Sequence, residues 1–150
     1  MINETHDPNL RSWVESANDP NTDFPIQNLP FCVFEPHENP DDRQGGVIIG
    51  DSVLSLAGCF NFGLFPDVPQ NIGELAMVYG DLDVLLPNLG RAGMLRLRER
   101  LLHLLGESSS EEERRICESQ LIKLSEVEFV EPFEIGDYTD FYCSIYHATN

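Results

Sequence analysis

Residues 46–56 read GVIIGDSVLSL, and this stretch decides the fold. Two short apolar runs, 47–49 and 53–56, flank the pair Gly50-Asp51. Apolar, largely β-branched runs favour strands, and a Gly-Asp pair between them favours a tight hairpin because Gly50 can adopt a positive φ without steric cost. The sequence therefore predicts two antiparallel strands joined at Gly50-Asp51.

A third strand is expected upstream, where residues 24–36 read FPIQNLPFCVFEP. Pro25 and Pro30 lack the amide hydrogen that a central ladder position donates, so we expect an extended lead-in to an edge strand at 31–34. The loop HENPDDRQGG at 37–46 then carries the chain to the hairpin. Three such strands indicate a small antiparallel sheet or barrel.

Helices are expected in the middle of the chain. Short helices interrupted by Gly80 and Pro87 are predicted in residues 71–89, and one longer helix in 90–106. Apolar residues of the longer helix share one face, and they are Met94, Leu97, Leu101, Leu104 and Leu105. Gly106 should end this helix, and Ser108–Ser110 with the acidic turn after it should begin a second that runs to about Gln120.

Four arginines on the longer helix, at positions 91, 96, 98 and 100, allow two interpretations. They could form an anion site, but a solvated helix face paired with the abundant carboxylates is favoured. His103 lies among leucines, which favours a packed or surface histidine over a ligand. Residues 124–136, LSEVEFVEPFEIG, alternate apolar with acidic side chains and predict extended structure.

Composition limits the classes of protein and partner. A length of 150 residues with 41% hydrophobic and 23% charged residues suits one globular domain. No apolar run is long enough to span a bilayer, and the N-terminus lacks a signal pattern, so a cytoplasmic location is expected. The four cysteines form no CxxC pair, which favours reduced thiols. A net charge of -17 argues against nucleic acid and anionic membrane as partners.

Residues 1–23 are polar and are expected to form an irregular or mobile leader with a helical turn near 10–14 and Trp13 docked on the body. At the other end, residues 135–150 read IGDYTDFYCSIYHATN and concentrate carboxylates, phenols and an imidazole. Asp140 and His147 are seven residues apart, about 10 Å on a continuous helix. Spacing alone favours a helix on which Tyr138, Tyr142 and Tyr146 form a packing stripe.

The motif GDYTDFYCSIYHATN resembles the segment of fumarylacetoacetases in which the N-terminal domain leads into the catalytic domain. The stretches DFPIQNLPFCVF, VIIGDSVLSL and PFEIGDYTDFY occur in the same order as in that family, over about residues 22–150. The resemblance implies a mainly β fold with helices. Residues 24–130 would form an SH3-like β-barrel N-terminal domain, and residues 131–150 would begin a β-rich catalytic domain.

Three site residues follow from the resemblance. Asp140 matches a ligand to Ca²⁺ or Mg²⁺, Tyr142 matches a substrate-contacting tyrosine, and His147 matches the general base that activates water. An imidazole suits water activation near neutral pH, and a hard cation with oxygen ligands can polarise a diketone. Ile145 stands where the family commonly has a basic residue, and Cys143 where a Ser or Ala is usual.

Family members hydrolyse 4-fumarylacetoacetate to fumarate and acetoacetate, the last step of tyrosine and phenylalanine catabolism, and a homodimer is implied for the full-length enzyme. Their catalytic domain supplies the other metal ligands, so the 150 residues alone are expected to be inactive. Two alternatives remain open at this point. The chain could be a non-catalytic barrel for assembly or regulation, or a relative that acts on another diketo or acylpyruvate substrate.

Overall fold

The computed structural model describes residues 3–150 and contains a five-stranded antiparallel sheet with helices packed against it. The strands are β1 Phe31–Pro36, β2 Gln44–Ile49, β3 Ser52–Ser55, β4 Leu121–Lys123 and β5 Val127–Val130. The α-helices are α1 Leu56–Asn61, α2 Gln70–Gly73, α3 Leu85–Leu105, α4 Glu111–Ser119 and α5 Ile145–Thr149. Shorter 3₁₀ turns lie at Glu4–His6, Glu15–Asn18, Leu82–Val84 and Leu124–Glu126, and a π-helical turn at Glu74–Val78.

The predicted hairpin is confirmed as β2 and β3. Ile49 lies opposite Ser52, and Gly50 adopts a φ of 55°, as the turn requires. The second strand ends earlier than expected, because Ser55 caps a helix. Its hydroxyl accepts a hydrogen bond from the Gly58 amide at 3.1 Å, so Leu56 begins α1.

The prediction of an edge strand at 31–34 was wrong, because β1 lies inside the sheet. The strand order is β4-β3-β2-β1-β5, and Val33 of β1 lies opposite both Gly45 and Val130. The nearby prolines are compatible with this position. Pro30 precedes the strand and its carbonyl accepts from the Ile48 amide at 3.0 Å, while Pro36 is the last strand residue.

Both faces of the sheet are covered. The larger core packs one face against the helices and includes Val33, Val47 and Leu54, all fully buried. A smaller cluster on the other face consists of Cys32, Phe34, Val53 and Val127. The observed architecture is a mixed α/β half-barrel rather than a mainly β one. Within residues 3–150 the edge strands β4 and β5 do not pair with each other.

Helix α3 confirms the predicted apolar face, and a kink at Gly90 coincides with the predicted start of the longer helix, with one further turn at residues 85–89 ahead of it. Leu97, Leu101, Leu104 and Leu105 are buried, and Gly106 is the C-cap. The helix begins at Leu85, ahead of Pro87, which is tolerated in the first turn because amides there need no intrahelical acceptor. Its interruption lies instead at Gly90, with a φ of 59°. Within the described residues no helix, α3 included, is long and apolar enough to cross a membrane.

Helix α4 begins as predicted. Ser110 is the N-cap and forms a capping box with Glu113, whose carboxylate also binds Arg100 at 2.7 Å and His103 at 3.2 Å. His103 is therefore a surface histidine. Hydrogen bonding from Ser110 and then Arg100 lowers the pKa of Glu113 to about 2. Strand β4, which follows α4 directly, was not predicted, since three residues carry too little periodicity.

The leader packs on the body through Trp13. The Trp13 indole N–H donates to the Leu104 carbonyl at 2.8 Å, and the Arg114 guanidinium lies 5.1 Å from the Trp13 ring centroid. The turn expected near residues 10–14 lies instead at Glu15–Asn18, because Ser12 is held in a β-bridge with Gly106. Ser12 is thus held against Gly106, the residue that ends α3.

Candidate functional site

The chain leaves the sheet at β5 and runs into the segment that carries the expected site residues. Two hydrogen bonds hold this exit. The Arg43 guanidinium donates to the Glu131 carbonyl at 3.2 Å, and the Glu134 amide donates to the Asp83 carboxylate at 3.0 Å. Both bonds are exposed. They fix residues 131–134 against the domain, so the direction in which the segment departs is set by side chains far away in sequence.

Beyond that exit, residues 136–150 are all exposed. Large apolar or aromatic side chains in this part of the chain are between 68% and 88% exposed, and they are Tyr138, Phe141, Tyr142, Ile145 and Tyr146. The interpretation of a tyrosine-lined packing helix is wrong, because only Ile145–Thr149 is helical and the tyrosines pack on no core. The segment presents its aromatic side chains outward instead.

Helix α5 positions His147 within a single helical turn. Ser144 caps it, accepting from the Tyr146 amide at 3.2 Å, and the Ala148 amide donates to the Ser144 carbonyl at 3.1 Å. The resulting turn brings the His147 ring to 5.4 Å from the Tyr142 ring, centroid to centroid, at an angle of 41°. Two of the three expected site residues therefore lie side by side.

Asp140 lies in the irregular chain before α5, so it does not share a continuous helix with His147. Residues 3–150 contain no group of three or more His, Cys, Asp and Glu side chains that could hold a metal ion. Residues 131–150 carry four carboxylates and no Lys or Arg. The segment thus offers single oxygen ligands and negative charge, without a formed cation site.

Cysteine chemistry is not favoured at this site. Cys143 is exposed, and its sulfur lies 3.9 Å from the Phe141 carbonyl oxygen. No base lies beside it among its hydrogen-bond partners within the described chain. Cys32 is buried in the smaller core cluster, and burial raises the pKa of its thiol to about 12, which keeps it protonated.

Sequence reasoning missed Arg43 and Asp83, the side chains that hold the exit from the sheet. Arg43 carried one weak signal, since it is one of only two basic residues before position 91. Asp83 carried none, because it is one acid among 26 acidic residues. Only the fold shows that these two residues meet the chain again about fifty to ninety positions later.

Comparison with known proteins identifies the family. The family model described as Fumarylacetoacetase N-terminal matches residues 27–132, which cover the sheet and the helices packed on it. The chain belongs to this family. The resemblance first seen in the sequence motifs is therefore confirmed, and the matched range ends at the exit from the sheet.

Curated fumarylacetoacetases from distant organisms are similar to this member over nearly its whole length. The rice protein (Oryza sativa subsp. japonica) is 36% identical over 145 residues, covering 94% of this chain and 33% of its own length. The Caenorhabditis elegans protein is 37% identical over 143 residues with the same coverage, and the human protein 33% identical over 141 residues, covering 93% of this chain and 32% of its own length. The chain spans about a third of the length of the curated relatives it matches.

Proposed function

We propose that this chain is the N-terminal part of a fumarylacetoacetase, a hydrolase that cleaves a carbon–carbon bond of 4-fumarylacetoacetate in tyrosine and phenylalanine catabolism. The full-length protein would act as a cytoplasmic homodimer. The proposal is supported by the family of the chain together with the residues that follow β5. A member of the fumarylacetoacetase family continues from β5 into residues that contain Asp140, Tyr142 and His147, with the last two rings 5.4 Å apart.

In the proposed reaction His147 acts as the general base. Its imidazole takes a proton from a water molecule, and the water oxygen attacks the substrate carbonyl carbon. The bond from that carbon to the neighbouring CH₂ breaks, and its electron pair remains on the CH₂ carbon as the enolate of acetoacetate. A proton returned by the imidazolium completes acetoacetate, while the attacked carbon becomes a carboxyl group of fumarate. Histidine is suited to both transfers because its unperturbed pKa is about 6.5.

Tyr142 is proposed to contact the substrate. Its ring lies beside that of His147, and its phenol can donate one hydrogen bond and accept another. A substrate oxygen bound by the phenol would be held close to the imidazole, so that the attacked carbonyl and the water share one position. Such positioning accounts for a large share of the rate in hydrolytic enzymes.

Asp140 is proposed as one ligand of a divalent cation, Ca²⁺ or Mg²⁺. Its carboxylate is the right kind of donor, because both ions prefer oxygen ligands. The residues present do not suffice for such a site, since Ca²⁺ takes about six to eight oxygen ligands and the described chain groups no three candidate ligands together. We infer that further ligands belong to the rest of the full-length protein, and that the 150 residues alone are inactive.

The half-barrel sheet is proposed to be of the SH3-like type. Five short antiparallel strands with a tight hairpin at their centre support this assignment. Superposition of an experimental structure on solved SH3-like domains would test it.

The decisive experiment compares two histidine variants of the full-length protein. His147→Ala should lower kcat by about 10²- to 10⁴-fold, the usual contribution of a general base, while leaving the thermal midpoint unchanged because the side chain is exposed. His37→Ala is the matched control, since His37 is also exposed and its side chain makes no hydrogen bond within the described residues. Turnover is followed through the loss of the diketone's ultraviolet absorbance.

Activity of His147→Ala within tenfold of the unchanged protein would remove His147 from the role of base. A separate measurement tests whether the ligands of the cation are divided between this chain and the rest of the full-length protein. Calorimetry of the 150-residue chain should detect no Ca²⁺ or Mg²⁺ binding tighter than millimolar, and a micromolar affinity would show that the chain carries a complete cation site.

A further inference from the structure

A second candidate site lies on the side of the domain formed by α3 and the first turn of the chain. A cavity of about 390 Å³ opens there, at the small end of the range of ligand pockets. Its apolar wall consists of Leu29, Phe31, Met94, Leu95 and Leu101. Leu29 and Leu101 are buried residues of the main core, so this wall is a fixed part of the fold.

Arg98 gives the cavity a positive charge in a fixed position. Its guanidinium donates to the Thr5 hydroxyl at 2.9 Å and to the Gln27 carbonyl at 2.6 Å. These acceptors are neutral, and within residues 3–150 no carboxylate forms an ion pair with Arg98. The guanidinium is half-buried, and this burial lowers its pKa, because the charged form is poorly solvated there.

Arg91, which precedes Arg98 by seven residues in α3, adds a second positive charge. It is exposed, lines the same cavity and forms no hydrogen bond or ion pair within the described residues. No acidic side chain lines the cavity, although the chain has 26 acidic residues and only nine basic ones. Arg100 shows the contrast, since it pairs with Glu113 at 2.7 Å. The four arginines at positions 91, 96, 98 and 100 were expected to pair with carboxylates, and within the described residues Arg100 alone does so.

We propose that this cavity binds a small carboxylate with an apolar body, its tail against the leucine, phenylalanine and methionine wall and its carboxylate between Arg91 and Arg98. Apolar surface combined with an arginine fork selects this class of ligand, because a carboxylate accepts two parallel hydrogen bonds from one guanidinium. Arg98 already donates to neutral acceptors, whereas Arg91 has no partner within the described residues, so an uncharged apolar molecule would leave Arg91 without a charged partner. A short carboxylate would leave the wall uncovered. The cavity involves none of residues 131–150, so binding here is independent of the proposed catalysis.

The test titrates the 150-residue protein with three probes: octanoate, octan-1-ol and acetate. Amide chemical shifts in ¹H–¹⁵N NMR spectra report where each probe binds and how tightly. We expect octanoate to saturate below 10 mM, with shifts confined to the residues around the cavity. Octan-1-ol and acetate should each bind at least tenfold more weakly, because each lacks one half of the recognised chemistry.

Two arginine variants locate the charge that matters. Arg91→Gln should weaken octanoate at least fivefold, since it removes a charged hydrogen-bond donor from the cavity. Arg96→Gln, an equal change of charge on the same helix but outside this cavity, should change the affinity less than twofold. Circular dichroism melts check that both variants remain folded.

Three results would overturn the proposal. Octan-1-ol binding as tightly as octanoate would mean that the carboxylate is not recognised. Equal losses for Arg91→Gln and Arg96→Gln would mean that octanoate responds only to overall charge. An absence of saturation up to 10 mM octanoate would mean that the cavity does not bind this class of ligand.

Discussion

Gly50 at the centre of the hairpin offers the sharpest test of the fold. Both Gly50 and Gly63 have positive φ, 55° and 74°, so replacing either by alanine imposes the same left-handed backbone strain. Their surroundings differ. A Cβ on Gly63 meets nothing within 4 Å, whereas a Cβ on Gly50 lies 2.7 Å from the Ala17 backbone nitrogen and 2.8 Å from the Ser16 carbonyl carbon.

The expected costs follow from these two situations. An alanine in the left-handed region strains the folded state by about 1–2 kcal/mol. Alanine also lowers the conformational entropy of the unfolded chain, which offsets about 0.4–1 kcal/mol, so Gly63→Ala should lower the free energy of unfolding by about 1 kcal/mol. Gly50→Ala also crowds backbone atoms, which costs about 1–3 kcal/mol more. It would further displace the Ser16 hydroxyl, which donates to the Asp51 carboxylate at 2.7 Å and accepts from the Asp51 amide at 3.2 Å. Loss of these hydrogen bonds adds about 1 kcal/mol, so the total destabilisation by Gly50→Ala is about 3–5 kcal/mol.

Urea unfolding of the 150-residue protein, followed by fluorescence and circular dichroism together, measures both costs. Coincident transitions with equal slopes would allow the midpoints to be compared directly. The free energy of unfolding of a domain of this size is about 5–15 kcal/mol, so Gly50→Ala should remove a large part of its stability. Equal losses in the two variants would refute the reasoning, because they would mean that the leader does not pack against the hairpin at Ser16 and Ala17.

Two other predictions concern the exit from the sheet and the start of α4. Asp83→Ala should speed hydrogen exchange at the Glu134 amide severalfold, because it removes a hydrogen bond worth about 0.5–1.5 kcal/mol. Asp83→Asn should not speed it, since the amide oxygen of asparagine still accepts the bond. Equal exchange rates in Asp83→Ala and in the control Asp81→Ala would argue against the contact. The pKa of Glu113 falls from 4.5 to about 2 on folding, chiefly through the Ser110 hydroxyl, so its stabilisation is fully present above pH 4.5 and is lost as the pH falls toward 2. Glu113→Gln should therefore flatten the acid side of the stability curve measured by thermal melts, and an unchanged curve would contradict the assigned pKa.

Local patterns in the sequence predicted the elements that local physics controls. The hairpin turn requires a positive φ, which glycine adopts at little energetic cost. The buried face of α3 depends on leucines spaced at the helical period. Ser110 and Glu113 are three residues apart and satisfy each other's backbone donors, so the start of α4 is also a local matter. Each of these features is decided within a few residues of chain.

Position within the sheet could not be predicted in the same way. Pro30 indicated an edge strand, yet β1 is interior, because the proline lies just outside the ladder and offers its carbonyl to Ile48. The partner strand β5 is nearly a hundred residues away in sequence, so no residue near β1 indicates the pairing. Strand order depends on such distant pairings, and a single sequence does not reveal them.

The candidate site was named through family resemblance, and the described structure explains why spacing alone was insufficient. Residues 131–150 make no buried contact of their own, and α5 is a single turn. Tyr142 and His147 lie side by side, but Asp140 has neither a second ligand nor a nearby positive charge within the segment. Periodicity predicts elements that bury a face, and this segment buries none.

That exposure bears on how the proposed active site would work. The carboxylate of Asp140, the phenol of Tyr142 and the imidazole of His147 gain little from one another in water, because charges and hydrogen bonds are weak at high dielectric. A proton transfer at His147 and an oxygen ligand at Asp140 become effective when water is excluded and positive groups face the negatively charged segment. Arg43 and Asp83 hold the start of the segment, so the half-barrel fixes where it departs from the domain. The proposed role of the described domain is therefore to position the segment, while the surroundings that make it catalytic would come from the rest of the full-length enzyme.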